Sequence, residues 1–150
     1  NVVALDMGVD FAAEDFNAKL KTGLEYMIAN EGPYLVHCNE GKDRAGFVSA
    51  LLEALMGGTV DEIKADYMTS YENYYHVEKD SEQYEKIAES NIMNTLRTIG
   101  GLEEGADLAD VDLAAAAETY LTETVGLSAE QVDALQAVLS GTAAEAEQAA

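Results

Sequence analysis

Residues 34–58 constrain this chain more than any other stretch: an apolar run from Tyr34 to His37, a polar turn containing Gly41, then an apolar segment from Arg44 to Met56 that Gly57-Gly58 stops. The run is introduced by Asn30-Glu31-Gly32-Pro33 and bounded by turn residues, so it reads as a buried strand, and the segment after the turn is long enough for a helix. The same order begins upstream. Val2 to Leu5 reads as another strand, and Phe16, Leu20, Leu24, Met27 and Ile28, at spacings of three and four, predict a helix between the two, with Gly32 just beyond its end. Strand, helix, strand is a crossover unit, so the expected fold class is α/β with a partly parallel sheet. Two strands do not make a stable sheet, and the chain opens Asn1-Val2-Val3 without a methionine. The sheet is therefore expected to be incomplete, with an N-terminal portion lying upstream.

The remainder reads helical. Thr59 with Glu62 forms a capping box ahead of Ile63, Tyr67, Met68 and Tyr71; a further helix is predicted from about Ser81 to Ile99, ended by Gly100-Gly101. An acidic loop covers Glu103 to Asp110. Two shorter helices follow, about Leu113 to Val125 with Gly126 after it, and about Ala129 to Leu139 behind a second capping box, Ser128 with Gln131. Residues 141–150, mostly alanine and glutamate, have little to bury and are expected to be a disordered tail, leaving 1–140 as one domain.

Charge narrows the function classes. With 29 Asp plus Glu against 8 Lys plus Arg, the net charge is −21, which argues against nucleic acid or an anionic membrane surface as the main partner. No window approaches the roughly 20 apolar residues of a membrane span. A single cysteine excludes an intramolecular disulfide. Yet His37, Lys42 and Arg44 all fall within one window of ten residues, and local positive charge on so acidic a chain needs a reason.

That window is His37-Cys38-Asn39-Glu40-Gly41-Lys42-Asp43-Arg44-Ala45-Gly46. Cys38 sits where a strand ends and a helix is about to begin, so turn N–H groups and the helix N-terminus can converge on it and lower its thiol pKa. Arg44, six residues on, lies in the first helical turn, where its planar fork can grip two phosphoryl oxygens. Gly41 permits the backbone of an anion nest, and Gly46 allows the helix start to pack closely on the strand. An arginine six places after the sole cysteine, with a histidine directly before it, arises by chance on the order of 10⁻⁴ of the time in a chain with two of each.

These residues resemble the signature loop of cysteine-dependent protein tyrosine phosphatases. The closest likeness is to the bacterial dual-specificity type, whose loop reads His-Cys-X-X-Gly-Lys-Asp-Arg-Thr-Gly. Asp66-Tyr67-Met68 and the closing helix pair hinged at Gly126-Leu127-Ser128 are similar to that group as well. The resemblance implies the C-terminal portion of a cysteine-phosphatase domain and a two-step hydrolysis. Cys38 takes the phosphoryl group as a cysteinyl-phosphate, Arg44 and the loop (His37, Asn39, Glu40, Gly41, Lys42, Ala45, Gly46) bind it, Asp43 is a candidate acid, and water releases phosphate. It implies no metal and no cofactor. The substrate would be a phosphorylated protein, phosphotyrosine first and phosphoserine or phosphothreonine besides, or a phosphoinositide, since Lys42 resembles a position associated with highly charged substrates. The implied source is bacterial, and whether such a protein stays in the cytoplasm or is exported is set by the sequence expected upstream of Asn1. Two departures stand out: Ala45 replaces the usual Ser or Thr, whose hydroxyl assists thiolate departure in the second step, and no obvious movable loop carrying a general-acid aspartate is found between Asn1 and residue 37, so the acid is either Asp43 or a residue of the segment expected upstream.

Plainer readings accompany each residue. Cys38 could be a buried structural thiol, though burial explains neither Arg44 nor Gly41. Asp43 could tie down the loop instead of donating a proton, His37 could be a scaffold residue, and Lys42 could be solvated. Glu40 fits a phosphate loop only if its side chain points outward while its N–H points in. Tyr67, Tyr71, Tyr74 and Tyr75 share a helical face and read first as packing. Three other functions remain open: an inositol polyphosphate (phytase-like) phosphatase, favoured by Lys42; a phosphate-binding pseudophosphatase module, favoured by Ala45; and a helical interaction domain in which the thiol is incidental.

Overall fold

The computed structural model describes residues 2–141, and they are mostly helical. Seven α-helices are present among them: α1 (Glu14–Ala29), α2 (Arg44–Leu55), α3 (Val60–Tyr75), α4 (Glu82–Ala88), α5 (Asn94–Ile99), α6 (Leu113–Thr119) and α7 (Ala129–Ser140). A π-helical turn, Glu89–Met93, joins α4 to α5, and another, Tyr120–Val125, extends α6. Both capping boxes form: Thr59 and Glu62 exchange bonds ahead of α3, as Ser128 and Gln131 do ahead of α7. None of the helices is long and apolar enough to cross a membrane.

No strand forms among the described residues, so the expected strands at 2–5 and 34–37, and the sheet joining them, are not seen. A strand exists only through hydrogen bonds to a neighbouring backbone, and apolar patterning does not supply one. Here the two runs have no regular secondary structure, and much of their apolar surface stays in water: Val2 is 90% and Leu35 86% exposed, with Leu5 and Tyr34 half-buried. The expected disordered tail lies outside the described residues except for Gly141, which ends α7 in the left-handed conformation.

The chain divides into two compact units, Asn1–Leu35 with Glu118–Ala150, and Val36–Ala117. In the first, α1 packs on α7 and on the π turn 120–125. Phe16, Leu20, Leu24 and Met27 of α1 are buried, as are Leu121, Val132 and Leu135. Polar groups are matched as well: Tyr120 Oη donates to buried Asn17 Oδ1 at 2.9 Å, and Lys21 Nζ donates to the Gly126 carbonyl at 2.6 Å.

In the second unit α2 is the central element. Ala45, Phe47, Val48, Ala50, Leu51, Ala54 and Leu55 are buried on it, and it packs against α3, α5 and the π turn 89–93. Burial this extensive comes from several sides at once, so hydrophobic contact rather than an amphipathic stripe fixes the helix. Gly46 departs from the expected packing on a strand: a Cβ there would come within 2.7 Å of the Tyr67 ring, so the glycine makes room for α3.

Arg97, the other arginine of the chain, is buried and wholly engaged within this unit. Its Nε donates to the Ala106 carbonyl at 2.8 Å, and its Nη1 meets Asn94 Oδ1 and Glu89 Oε1, both at 2.7 Å. It therefore ties the 103–110 loop to α5 and the π turn. Arg97→Ala should lower stability by about 2–3 kcal/mol, because a buried charged hydrogen-bond set is lost together with its packing. Urea unfolding should show this as a lower midpoint at unchanged slope.

Candidate active site

The segment between His37 and α2 turns on Gly41, whose φ of +78° lies in the left-handed region that favours glycine. Its geometry follows from how α2 begins. Asp43 occupies the N-cap position, and its carbonyl accepts from the Phe47 N–H at 2.8 Å, but its side chain makes no cap hydrogen bond. An N-cap aspartate ordinarily accepts from the first-turn N–H groups. Here the carboxylate is occupied elsewhere: both its oxygens accept from Lys42 Nζ, at 2.8 and 2.9 Å.

Donors at the start of α2 are thereby left for Cys38. Burial pushes the Cys38 thiol up, but hydrogen bonds from the backbone of Ala45, Gly41, Glu40 and Arg44 outweigh it, and the net effect holds the thiol below its ordinary value. The sulfur is half-buried, and so is Arg44, whose Nε is buried. A half-exposed sulfur at a helix N-terminus, ringed by inward N–H groups with a guanidinium in the first turn, can act as a nucleophile and can hold a tetrahedral anion.

The loop's side chains form a separate cluster. Lys42 Nζ also lies 3.6 Å from Glu40 Oε2 and 6.0 Å from the centre of the Tyr71 ring. The Asp43 bond, against some loss of hydration, raises its pKa above the ordinary lysine value. Glu40 turns its side chain outward, where Oε2 accepts from Tyr75 Oη at 2.7 Å, while its backbone serves Cys38. This is the orientation a phosphate loop requires of a glutamate. The tyrosines of α3 pack in sequence, Tyr67 on Tyr71 (5.8 Å between ring centres) and Tyr71 on Tyr75 (5.4 Å); Tyr71 is buried and Tyr67 half-buried, as the packing expectation has it, whereas Tyr74 and Tyr75 are exposed.

Of the residues expected at the site, Glu40, Gly41, Arg44 and Ala45 turn backbone donors toward the Cys38 sulfur, whereas Lys42 and Asp43 pair with each other through their side chains. His37 and Asn39 are exposed, and Gly46 faces Tyr67. Among the described residues no group of three or more His, Cys, Asp or Glu is arranged to hold a metal ion. A concavity of about 770 Å³, lined by His76, Glu82, Lys86 and Ser90 among others, contains none of the loop residues.

One pairing has no precedent in the sequence reading. A cavity of about 50 Å³ behind the loop is lined by Gly41, Gly46, Ser49, Glu53, Asp66, Tyr67 and Ser70 among others. In it Glu53 of α2 hydrogen-bonds Asp66 of α3. Burial, then the charge and hydrogen bond of Asp66, push Glu53 up to about 7. The available signal was Glu53 itself, the one acidic residue inside the apolar α2 segment.

Comparison with known proteins gives one finding: a model described as the tyrosine phosphatase family matches residues 5–141. No curated protein and no solved structure matches the chain.

Two measurements probe this geometry. Alkylation of Cys38 by iodoacetamide should reach half its plateau rate below pH of about 8.5, the value of a free thiol, and Gly41→Ala should move that point upward by straining the turn. Glu53 carries the opposite sign. A carboxyl raised in the folded state binds more protons there than when unfolded, so its stabilising contribution is full below the ordinary glutamate value of about 4.3 and is lost as pH rises to about 7. The difference in melting temperature between the wild type and Glu53→Gln, which keeps a hydrogen bond to Asp66 without titrating, should therefore shift against the wild type across that window and be flat above it.

Proposed function

The chain belongs to the tyrosine phosphatase family, and from that premise we propose that it hydrolyses phosphotyrosine in proteins through a cysteinyl-phosphate on Cys38. The observation that carries this reading is the set of backbone donors converging on the Cys38 sulfur at the start of α2, with Arg44 in the first helical turn. The thiolate attacks phosphorus, and the bond to the tyrosyl oxygen breaks as that oxygen takes a proton. The phosphoryl oxygens are held by the N–H groups of Glu40, Gly41, Arg44 and Ala45 and by the Arg44 guanidinium. Water then attacks the cysteinyl-phosphate, the S–P bond breaks, and phosphate leaves with the thiolate restored.

Asp43 supplies the proton to the leaving oxygen in this scheme. With Lys42 on both its oxygens it ties down the loop; when phosphoryl oxygens draw Lys42 away, the carboxyl is released to carry a proton. His37, Asn39 and Gly46 frame the loop. Residues 1–140 form the C-terminal portion of an α/β catalytic domain in this reading, and the largely exposed runs 2–5 and 34–37 are what strands of its sheet would present without their neighbours.

The same loop accommodates phosphoserine, phosphothreonine or a singly phosphorylated lipid headgroup as further substrates. An inositol polyphosphate is disfavoured: the loop's two cations are offset by the carboxylates of Asp43 and Glu40 on a chain of net charge −21, so little net positive charge is offered to several phosphates at once. A second reading, a module that binds phosphorylated ligands without turnover, draws on Ala45, which is buried and offers no hydroxyl to the departing thiolate.

Cys38→Ser should lower kcat on a phosphotyrosine peptide at least about 10³-fold while changing inorganic phosphate binding by no more than about 3-fold. Persistent turnover in that variant would sink the mechanism. Rapid-mixing kinetics on the wild type separates the second reading: one equivalent of product followed by a slow phase marks a trapped intermediate, whereas binding with no burst and no turnover marks the module.

A further inference from the structure

Tyr75 Oη, at the last residue of α3, donates to Glu40 Oε2 at 2.7 Å across 35 positions of sequence. Its ring is held on two sides, stacked on Tyr71 at 5.4 Å and 29° and in edge contact with Tyr74 at 4.9 Å and 72°. Tyr71 is itself fixed by Asn91, whose Nδ2 donates to its hydroxyl at 3.1 Å. The Tyr75 hydroxyl is thus delivered to Glu40 by a rib of packed rings.

Glu40 presents two opposite faces to an anion. Its N–H is one of the donors to Cys38, whereas its carboxylate, turned inward, would repel a phosphoryl group, compete for the same donors and disfavour the thiolate. Lys42 alone holds that carboxylate loosely, at 3.6 Å, because its shorter bonds go to Asp43. We infer that Tyr75 is a positioning residue of the loop, its hydroxyl latching the Glu40 carboxylate outward so that Glu40 lends the anion cradle its N–H without its charge. The effect on turnover rests on the phosphatase reading above; the effect on the sulfur and on anion binding does not.

Tyr75→Phe keeps the ring and removes only the hydroxyl, so packing is preserved in the test. It is compared with Glu40→Gln and with the double variant. The readouts are Cys38 alkylation by iodoacetamide against pH, protection of Cys38 by inorganic phosphate, and kcat and KM for para-nitrophenyl phosphate. Tyr75→Phe should raise the phosphate concentration for half-protection about 3- to 10-fold, as expected for a unit charge released a few ångströms from a bound anion. It should also move the alkylation profile to higher pH and raise KM by a similar factor, with kcat within about 2-fold. In the Glu40→Gln background, adding Tyr75→Phe should change each readout by less than about 2-fold. The latch is overturned if Tyr75→Phe leaves phosphate protection and the alkylation profile unaltered. It is overturned equally if the full loss persists with Glu40→Gln, which would assign it to packing. Absence of turnover in the wild type, with the thiol and phosphate readouts still coupled through Glu40, would remove the phosphatase reading and leave the latch standing.

Discussion

The first turn of α2 has N–H groups that its own N-cap residue does not take up, and the loop depends on that vacancy. Asp43 sits where an aspartate ordinarily closes a helix, but Lys42 holds its carboxylate by both oxygens. The sulfur of Cys38 takes the donors instead. Such an exchange is possible only if the helix is anchored by other means, since a missing cap costs about 1 kcal/mol. Burial of α2 from Ala45 to Leu55 supplies the anchor. A helix held by its flanks can leave its end open for chemistry.

Charge at the site is arranged with the same economy. The chain is strongly acidic, so side-chain cations near the sulfur attract carboxylates before any substrate arrives, and Lys42 has two. The donors turned toward the sulfur are mainly peptide groups, which carry no net charge and cannot be neutralised by a neighbour. Arg97 illustrates the contrast: it is buried and is consumed by Glu89, Asn94 and Ala106 in holding the fold.

Local signals in the sequence carried most of the helical architecture. Thr59 with Glu62 and Ser128 with Gln131 mark helix starts through contacts three residues apart, and the glycines at 57, 100 and 126 mark ends, so both kinds of boundary are written within one turn of chain. Cys38, Gly41 and Arg44 were legible for the same reason, lying in one continuous loop. Strands at 2–5 and 34–37 were not secured by such signals, because a strand is completed by a backbone far away in sequence. The Glu53 to Asp66 bond and the seat of Tyr67 over Gly46 were equally hidden: each depends on how α3 rolls against α2, which no spacing within either helix specifies.

The composition of the cradle from peptide dipoles, on a surface that is almost everywhere negative, separates two events that ionic strength would otherwise affect alike. A phosphate group approaching from solution meets repulsion over distances of about a Debye length, roughly 8 to 10 Å at physiological salt, and dissolved ions relieve it. On the phosphatase reading, once it lies among the N–H groups of residues 40, 41, 44 and 45 that turn toward the sulfur, it would be held by contacts too short and too shielded for those ions to weaken. Salt therefore eases arrival and leaves the grip alone, the reverse of a site built from exposed lysines, where added salt loosens what it first helps to find.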